Sequence, residues 1–133
     1  MDIGSISDIA KSGMTTERSR VELASMRLAL ANTGYSSLAE ATNAARGLST
    51  QSFAKLVGAG YARTQSDHIA VKPVHDPGHP NADAMGKVYY LDIDPIHEMA
   101  TLVSALRSYE ANVRAYNTNS AMTRSALSIG GGQ

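Results

Sequence analysis

The sequence predicts a mainly α chain, with two long terminal helices pairing as an antiparallel coiled coil. Between them lies a small irregular middle containing short helices and short β pieces. Three observations carry this reading. Apolar residues recur in steps of three and four at both ends. Asp94-Pro95 looks like an N-cap followed by proline at the first helical position, and no Gly or Pro then interrupts the chain until Gly130. The middle is punctuated by Gly and Pro instead. The chain therefore divides into an N-terminal coiled-coil helix over 1–33, a middle region over 34–93 and a C-terminal coiled-coil helix over 94–130.

In the first helix, Ile6, Ala10, Met14, Glu17, Val21, Ala24, Leu28 and Ala31 form one stripe, mostly apolar, with Glu17 as its break. Leu23, Met26 and Leu30 make a second strip beside it. Gly13 sits inside, at a cost of about 1 kcal/mol relative to Ala, and marks either a bend or a close helix contact. Asn32-Thr33-Gly34 supplies the stop. In the middle, the Ala-rich stretches 37–46 and 51–57 are candidate short helices, and Ile69-Ala70-Val71 and Val88-Tyr89-Tyr90-Leu91 are candidate strands. His75 to Asp83, which holds Pro77, Gly78 and Pro80, reads as a loop.

The last helix carries the clearest pattern. Met99, Leu102, Leu106, Tyr109, Val113, Tyr116, Ser120, Thr123 and Leu127 follow a heptad rhythm for four repeats. Such a helix is about 50 Å long at 1.5 Å per residue. It is too long to fold back on a small core and must lie along another long helix, for which the N-terminal one is the candidate. Glu98 places a carboxylate in the first turns, where the helix dipole favours it. Ser120 and Thr123 weaken the rhythm, which suits either close packing among many helices or a solvated helix end.

Composition narrows the function. Twelve Lys plus Arg balance twelve Asp plus Glu, so there is no basic excess for nucleic acid or a polybasic membrane contact. The chain has no Cys, hence no disulfide framework, thiolate metal cluster or Cys nucleophile. No run approaches the ~20 apolar residues of a membrane span. Two Asp and no basic residue precede Lys11, unlike the positive start of a cleavable signal. Leu, Ile, Val and Phe together make only 19% of the residues, against 20 Ala and 15 Ser. A chain this poor in large apolar side chains has little to bury against itself, and completing its core with copies of itself or with partners resolves the shortage.

Little in the chain suggests chemistry. His75, Asp76, His79 and Asp83 could hold a divalent metal, but Pro77-Gly78 and Pro80 forbid the helix that would set both imidazoles on one side, so a structured loop is expected and no metal. Asp92, Asp94 and Glu98 could do acid–base work only from opposite sides of a substrate, and capping of the final helix explains Asp94 and Glu98 more simply. There is no Gly-x-Ser-x-Gly elbow, and Gly58-x-Gly60 lacks a phosphate-loop lysine. No catalytic residue, cofactor site or small-molecule substrate is expected. Arg107, Arg114 and Arg124 lie off the heptad line, as surface charge or as ion-pair donors between crowded helices.

The segment Asp76-Pro77-Gly78-His79-Pro80-Asn81-Ala82-Asp83, then Gly86-Lys87-Val88, Glu98-Met99 and Ser104 to Val113, which includes Arg107-Ser108-Tyr109-Glu110-Ala111-Asn112, resembles the FlgC family of bacterial flagellar basal-body rod proteins. Asn117-Thr118 and Met122 also fit its pattern. The match is good over residues 70–129 and looser at the N-terminus, where an N-L-A-N-x-N-T pattern is expected and Arg27 and Leu30 replace two of its Asn. Leu91-Asp92-Ile93-Asp94 replaces the usual P-N-V-D, and the stretch 37–60 does not look like the typical family middle.

The resemblance implies an axial structural protein that leaves the cytoplasm through the flagellar type III export apparatus without a cleaved signal. It implies a subunit of the proximal rod, a helical self-polymer that crosses the periplasm, contacting other rod proteins and the inner-membrane ring and export-gate junction proteins. Paired terminal helices would line the tube and the middle would lie outside. The residues expected to carry assembly are Val21, Ala24, Leu28, Ala31, Met99, Leu102, Leu106, Tyr109, Val113, Tyr116 and Leu127. Two alternatives compete with a polymerising subunit: a soluble helical adaptor of non-flagellar export or secretion, and a peptidoglycan-acting hydrolase using the His75 to Asp83 loop.

Overall fold

The computed structural model describes residues 3–48 and 68–130. Its elements are α1 (Ile3–Leu30), β1 (Gly34–Tyr35), α2 (Leu38–Gly47), β2 (Val71–His75), β3 (Lys87–Leu91) and α3 (Pro95–Gly130). The chain is mainly helical, and α1 and α3 pack along one another. Their contacts run in opposite directions along the two helices: Arg27 meets Glu98, Gly13 meets Asn112, and Ser7 meets Asn119. The pair is therefore antiparallel, as the heptads predict.

Both predicted helix boundaries have a chemical cause. The Asp94 carboxylate accepts from Ile96 N at 2.9 Å and Pro95 follows it, so α3 starts where expected. At the other boundary Thr33 N donates to Leu30 O, and α1 ends in a turn over Ala31-Asn32. The Ala-rich helix predicted at 37–46 is α2, and the structure shows its N-cap: the Ser37 hydroxyl accepts from Glu40 N at 3.2 Å. The candidate helix over 51–57 lies outside the described residues.

The middle is a three-stranded antiparallel sheet of order β1-β3-β2. Tyr89 pairs with Tyr35 on one side and Pro73 on the other, and Leu91 pairs with Val71. The strand predicted at 88–91 is the central one. The strand predicted at 69–71 lies further along, at 71–75, and so reaches into the segment read as loop. One sheet face packs on α2, with Ala41, Ala45, Leu48, Ile69 and Leu91 buried together and Leu30, Tyr35, Val71, Tyr89 and Ile93 around them.

Helix pairing departs from the prediction in phase. The line of α3 turned toward α1 is Glu98, Ala105, Asn112 and Asn119, spaced by sevens, and it is small or polar. Of the predicted heptad positions, Leu102, Val113, Tyr116, Ser120 and Thr123 are half-buried at its flank, while Met99, Leu106, Tyr109 and Leu127 are exposed. Close approach of the two backbones explains the offset. A Cβ added at Gly13 would sit 2.6 Å from Asn112 Nδ2, and Ala10, Ala24 and Ala105 are all buried. Large side chains do not fit on a line this tight. Gly13 therefore marks a close helix contact. On α1 the predicted stripe holds from Ala10 onward, with Ala10, Ala24 and Ala31 buried and Met14, Glu17, Val21 and Leu28 half-buried, while Ile6 at its start is exposed.

Candidate functional site

Two features stand out once the helices are placed: an apolar line on α3 turned away from α1, and the folded loop between β2 and β3. The apolar line consists of Ile96, Met99, Val103 and Leu106, in steps of three, four and three, all exposed, with Tyr109 at its margin. Met99 and Leu106 were among the residues expected to carry assembly. Ile96 and Val103 were not, although the same step pattern points to them. A shallow depression beside this line is lined by Met99, Ala100, Val103, Ser104, Arg107 and Ser108. Four large apolar side chains of α3 thus lie on its outer surface, while the line that faces its partner is small or polar.

The remaining assembly candidates distribute as their burial dictates. Ala24 and Ala31 are buried in the helix pair, Val21, Leu28, Leu102, Val113 and Tyr116 are half-buried at its edges, and Leu127 is exposed near the far end. The Lys11 ammonium lies 5.8 Å from the Tyr116 ring centroid, a cation–π contact across the pair. In the motif helix, Ser108 and Asn112 are half-buried, whereas Arg107, Tyr109 and Ala111 are exposed. Arg114 lies 3.9 Å from Glu110, with both side chains well exposed, and such a pair contributes little.

The loop has a definite architecture. It begins with Asp76 N donating to Gly86 O and closes with Asp83 N donating to Lys87 O. Gly86 has φ +71°, and a Cβ there would lie 3.0 Å from Pro77 Cγ, so conformation and space both require glycine. His79 turns back over the sheet face opposite α2. Its ring stands edge-on to Tyr90 at 6.3 Å, and its Nδ1 accepts from Asn81 N at 3.1 Å. The Asn81 amide donates to Gly34 O at 2.8 Å. Gly34 makes room for this cover, since a Cβ there would meet Val88 Cγ1 at 2.7 Å and His79 Cε1 at 3.0 Å. Val88, beneath, is fully buried. Pro77, Gly78 and Pro80 stay exposed and shape the turns. The imidazole of His79 is therefore engaged in packing and in the loop's own hydrogen bonding, and among the described residues no group of three His, Asp or Glu converges as a metal site.

Asp83 is the loop's clasp. Its Oδ1 accepts from Lys87 N and Met85 N, both at 2.8 Å, and its Oδ2 from the Tyr89 hydroxyl at 3.3 Å. The Lys87 backbone N–H, chief among these donors, holds the Asp83 carboxyl below its usual range against a smaller desolvation effect. Desolvation and the neighbouring Asp83 charge push the Tyr89 hydroxyl up. A carboxyl whose pKa is lowered by folding stabilises the fold above its unfolded value, near 3.9, and loses that contribution as pH falls through the lower folded value. Acidification below about pH 4 is thus expected to loosen the loop, seen as collapse of the Met85 and Lys87 amide shifts toward random-coil positions. In Asp83→Asn the same shifts should be displaced at neutral pH and lack that acid transition.

Glu98 and Arg27 escaped a reading by periodicity. Glu98 is buried and ion-paired with Arg27, Nη1 to Oε1 at 3.4 Å, while Arg27 Nε and Nη2 donate to Leu48 O at 3.3 and 3.1 Å. An arginine between the apolar Met26 and Leu28, where the family pattern has asparagine, is the signal that could have prompted a search for its partner, 71 positions away.

Comparison with known proteins places the chain in a family. Residues 86–129, which cover β3 and nearly all of α3, match the family model described as "Flagellar basal body rod FlgEFG protein C-terminal". The chain is 34% identical to the flagellar basal-body rod protein FlgC of Escherichia coli O6:H1, over 98% of this chain and 99% of that one. It is 32% identical to FlgC of Aquifex aeolicus, over 88% of this chain and 89% of the relative. The Bacillus subtilis FlgC aligns more locally, 42% identical over 55% of this chain and 49% of its own length. With a full-length relative at this identity, the chain belongs to the FlgC family of flagellar basal-body rod proteins.

Proposed function

We propose that this chain is a structural subunit of the flagellar rod that joins its neighbours through the outer face of α3. Family membership makes it a rod protein of the basal body. The observation that supports the mode of assembly is the division of α3 into a small, polar line against α1 and a large, apolar line against solvent. Burial of Ile96, Met99, Val103 and Leu106 against further copies would supply the apolar contacts that the single chain lacks, at roughly 25 cal/mol per Å² removed from water. Contacts between unlike faces extend indefinitely unless a ring closes, which suits a tube.

On this reading the terminal segments 1–33 and 94–130 form the shaft and the region 34–93 sits outside it. The partners are other copies and other rod proteins, with the inner-membrane ring and export-gate junction proteins at its base. The chain crosses to the periplasmic side by the flagellar type III export apparatus without losing a cleaved signal, and it catalyses no reaction. Neither the relatives nor the geometry favours the soluble adaptor or the hydrolase. The test is fractionation of cells whose sole copy carries a tag. The tag is expected in purified basal bodies, on a chain with its N-terminal residues intact. Recovery only as a small oligomer in the cytoplasm would favour the adaptor instead.

A further inference from the structure

Three helix ends meet at one buried side chain. Arg27 lies in the last turn of α1, Leu48 is the C-cap residue of α2, and Glu98 lies in the first turn of α3. The Arg27 guanidinium spans all three, donating twice to Leu48 O and once to Glu98. Its positive charge sits at two helix C-termini and the negative charge of Glu98 at a helix N-terminus, so each charge occupies the end whose dipole favours it. The apolar contacts of α2, in contrast, are made mainly with the sheet and the segment beside it, through Ala41, Ala45 and Leu48. Packing therefore fixes α2 within the middle region, Leu30 at the end of α1 adds one apolar contact to the same cluster, and Arg27 supplies the directional polar tie between α2 and the helix pair.

We propose that Arg27 is an orientation lock, which sets the pose of the α2-and-sheet unit on the end of the α1–α3 pair without being what folds either part. The fork geometry is essential to this role. Nε and Nη2 converge on one carbonyl while Nη1 reaches the carboxylate, and a lysine ammonium, a single point of charge, cannot reproduce both arms. A generic charge requirement would be met by lysine, but an orientation lock would not.

The absence of cysteine makes the test direct, because introduced cysteines carry spin labels without background. Labels at the exposed positions Asn43→Cys and Glu110→Cys report the distance from α2 to α3, and Ser25→Cys with Glu110→Cys reports α1 to α3. In the full-length monomer with Arg27→Lys, the α2–α3 distance distribution should at least double in width while the α1–α3 distribution stays as narrow as in the parent. Hydrogen exchange at the Leu48 amide, which donates to Ala44 O and Ala45 O, should rise about tenfold. Two sharp distributions would overturn the proposal, since lysine would then suffice. Broadening of both would overturn it equally, because Arg27 would then be a general element of stability. If Arg27→Lys fails to fold, Glu98→Gln is read by the same criteria: selective broadening supports the lock and any other result rejects it.

Discussion

Leu106→Asp is expected to leave the chain folded and to abolish rod assembly. Leu106 is 43% exposed on the outer line of α3, so a carboxylate there remains hydrated in the single chain. The local cost is the lower helix propensity of aspartate, about 0.5 kcal/mol. In an assembly that covers this line, the same carboxylate would be buried without a partner, which costs several kcal/mol per contact. At 1.36 kcal/mol per tenfold, even 3 kcal/mol weakens each contact by more than 100-fold, and the defect recurs at each subunit. The mutant chain should show parental circular dichroism, appear outside the cytoplasm, and be missing from basal bodies of non-motile cells. Leu106→Met keeps the apolar surface and should assemble. Normal motility with Leu106→Asp would remove the outer line of α3 from the subunit contact.

That prediction has a different physical basis from the one periodicity suggests, and the difference explains what could be read in advance. The positions of α1, α2, β3 and α3 are legible from local signals: the Asp94-Pro95 cap, the stop at Asn32-Thr33-Gly34, the Ala-rich run over 37–46 and the β-type run Val88-Tyr89-Tyr90-Leu91. The rhythm of α3 was legible too, but not its phase. Large apolar residues mark surfaces that a helix buries against another chain as well as within its own, so their rhythm alone does not say which surface is which. On α3 the two surfaces lie side by side, and the inner one is built from Glu98, Ala105, Asn112 and Asn119, three of them polar and the fourth small, so a search for large apolar residues passes it over. Gly13 was the usable hint, since a glycine inside a helix signals a close neighbour. The two-residue strand β1 is too short to leave a pattern. In the loop, Pro77, Gly78 and Pro80 announced a fixed shape, but neither the cover of His79 over Val88 nor the clasp of Asp83 follows from spacing, because both depend on a sheet assembled from three distant segments.

Leu91→Ala should act in the opposite way, by unfolding the middle region within the single chain. Leu91 is 1% exposed in the central strand, and α2 presents it with Ala41 and Ala45. Alanines pack closely but cannot extend into a void, so the space left by removing the Leu91 isobutyl group stays largely unfilled. Leu→Ala changes in such sites cost about 2 to 5 kcal/mol, rising with the cavity that remains. Stability of a domain this size is only about 5 to 15 kcal/mol in total, so the loss is a large share of it. Urea unfolding followed by the signals of Tyr35 and Tyr89, which flank the cluster, should show a midpoint lowered in proportion to a loss of about 3 kcal/mol. Leu91→Met, which conserves volume, should cost less than about 1.5 kcal/mol. A cost for Leu91→Ala below about 1 kcal/mol, on the scale set for buried leucines, would mean that this cluster is not the folding core. Because Leu91 also stands just before the cap of α3, the variant should loosen the Arg27–Glu98 end of the helix pair as the sheet fails, and it should do so in dilute monomer, where Leu106→Asp costs only its small helix-propensity difference.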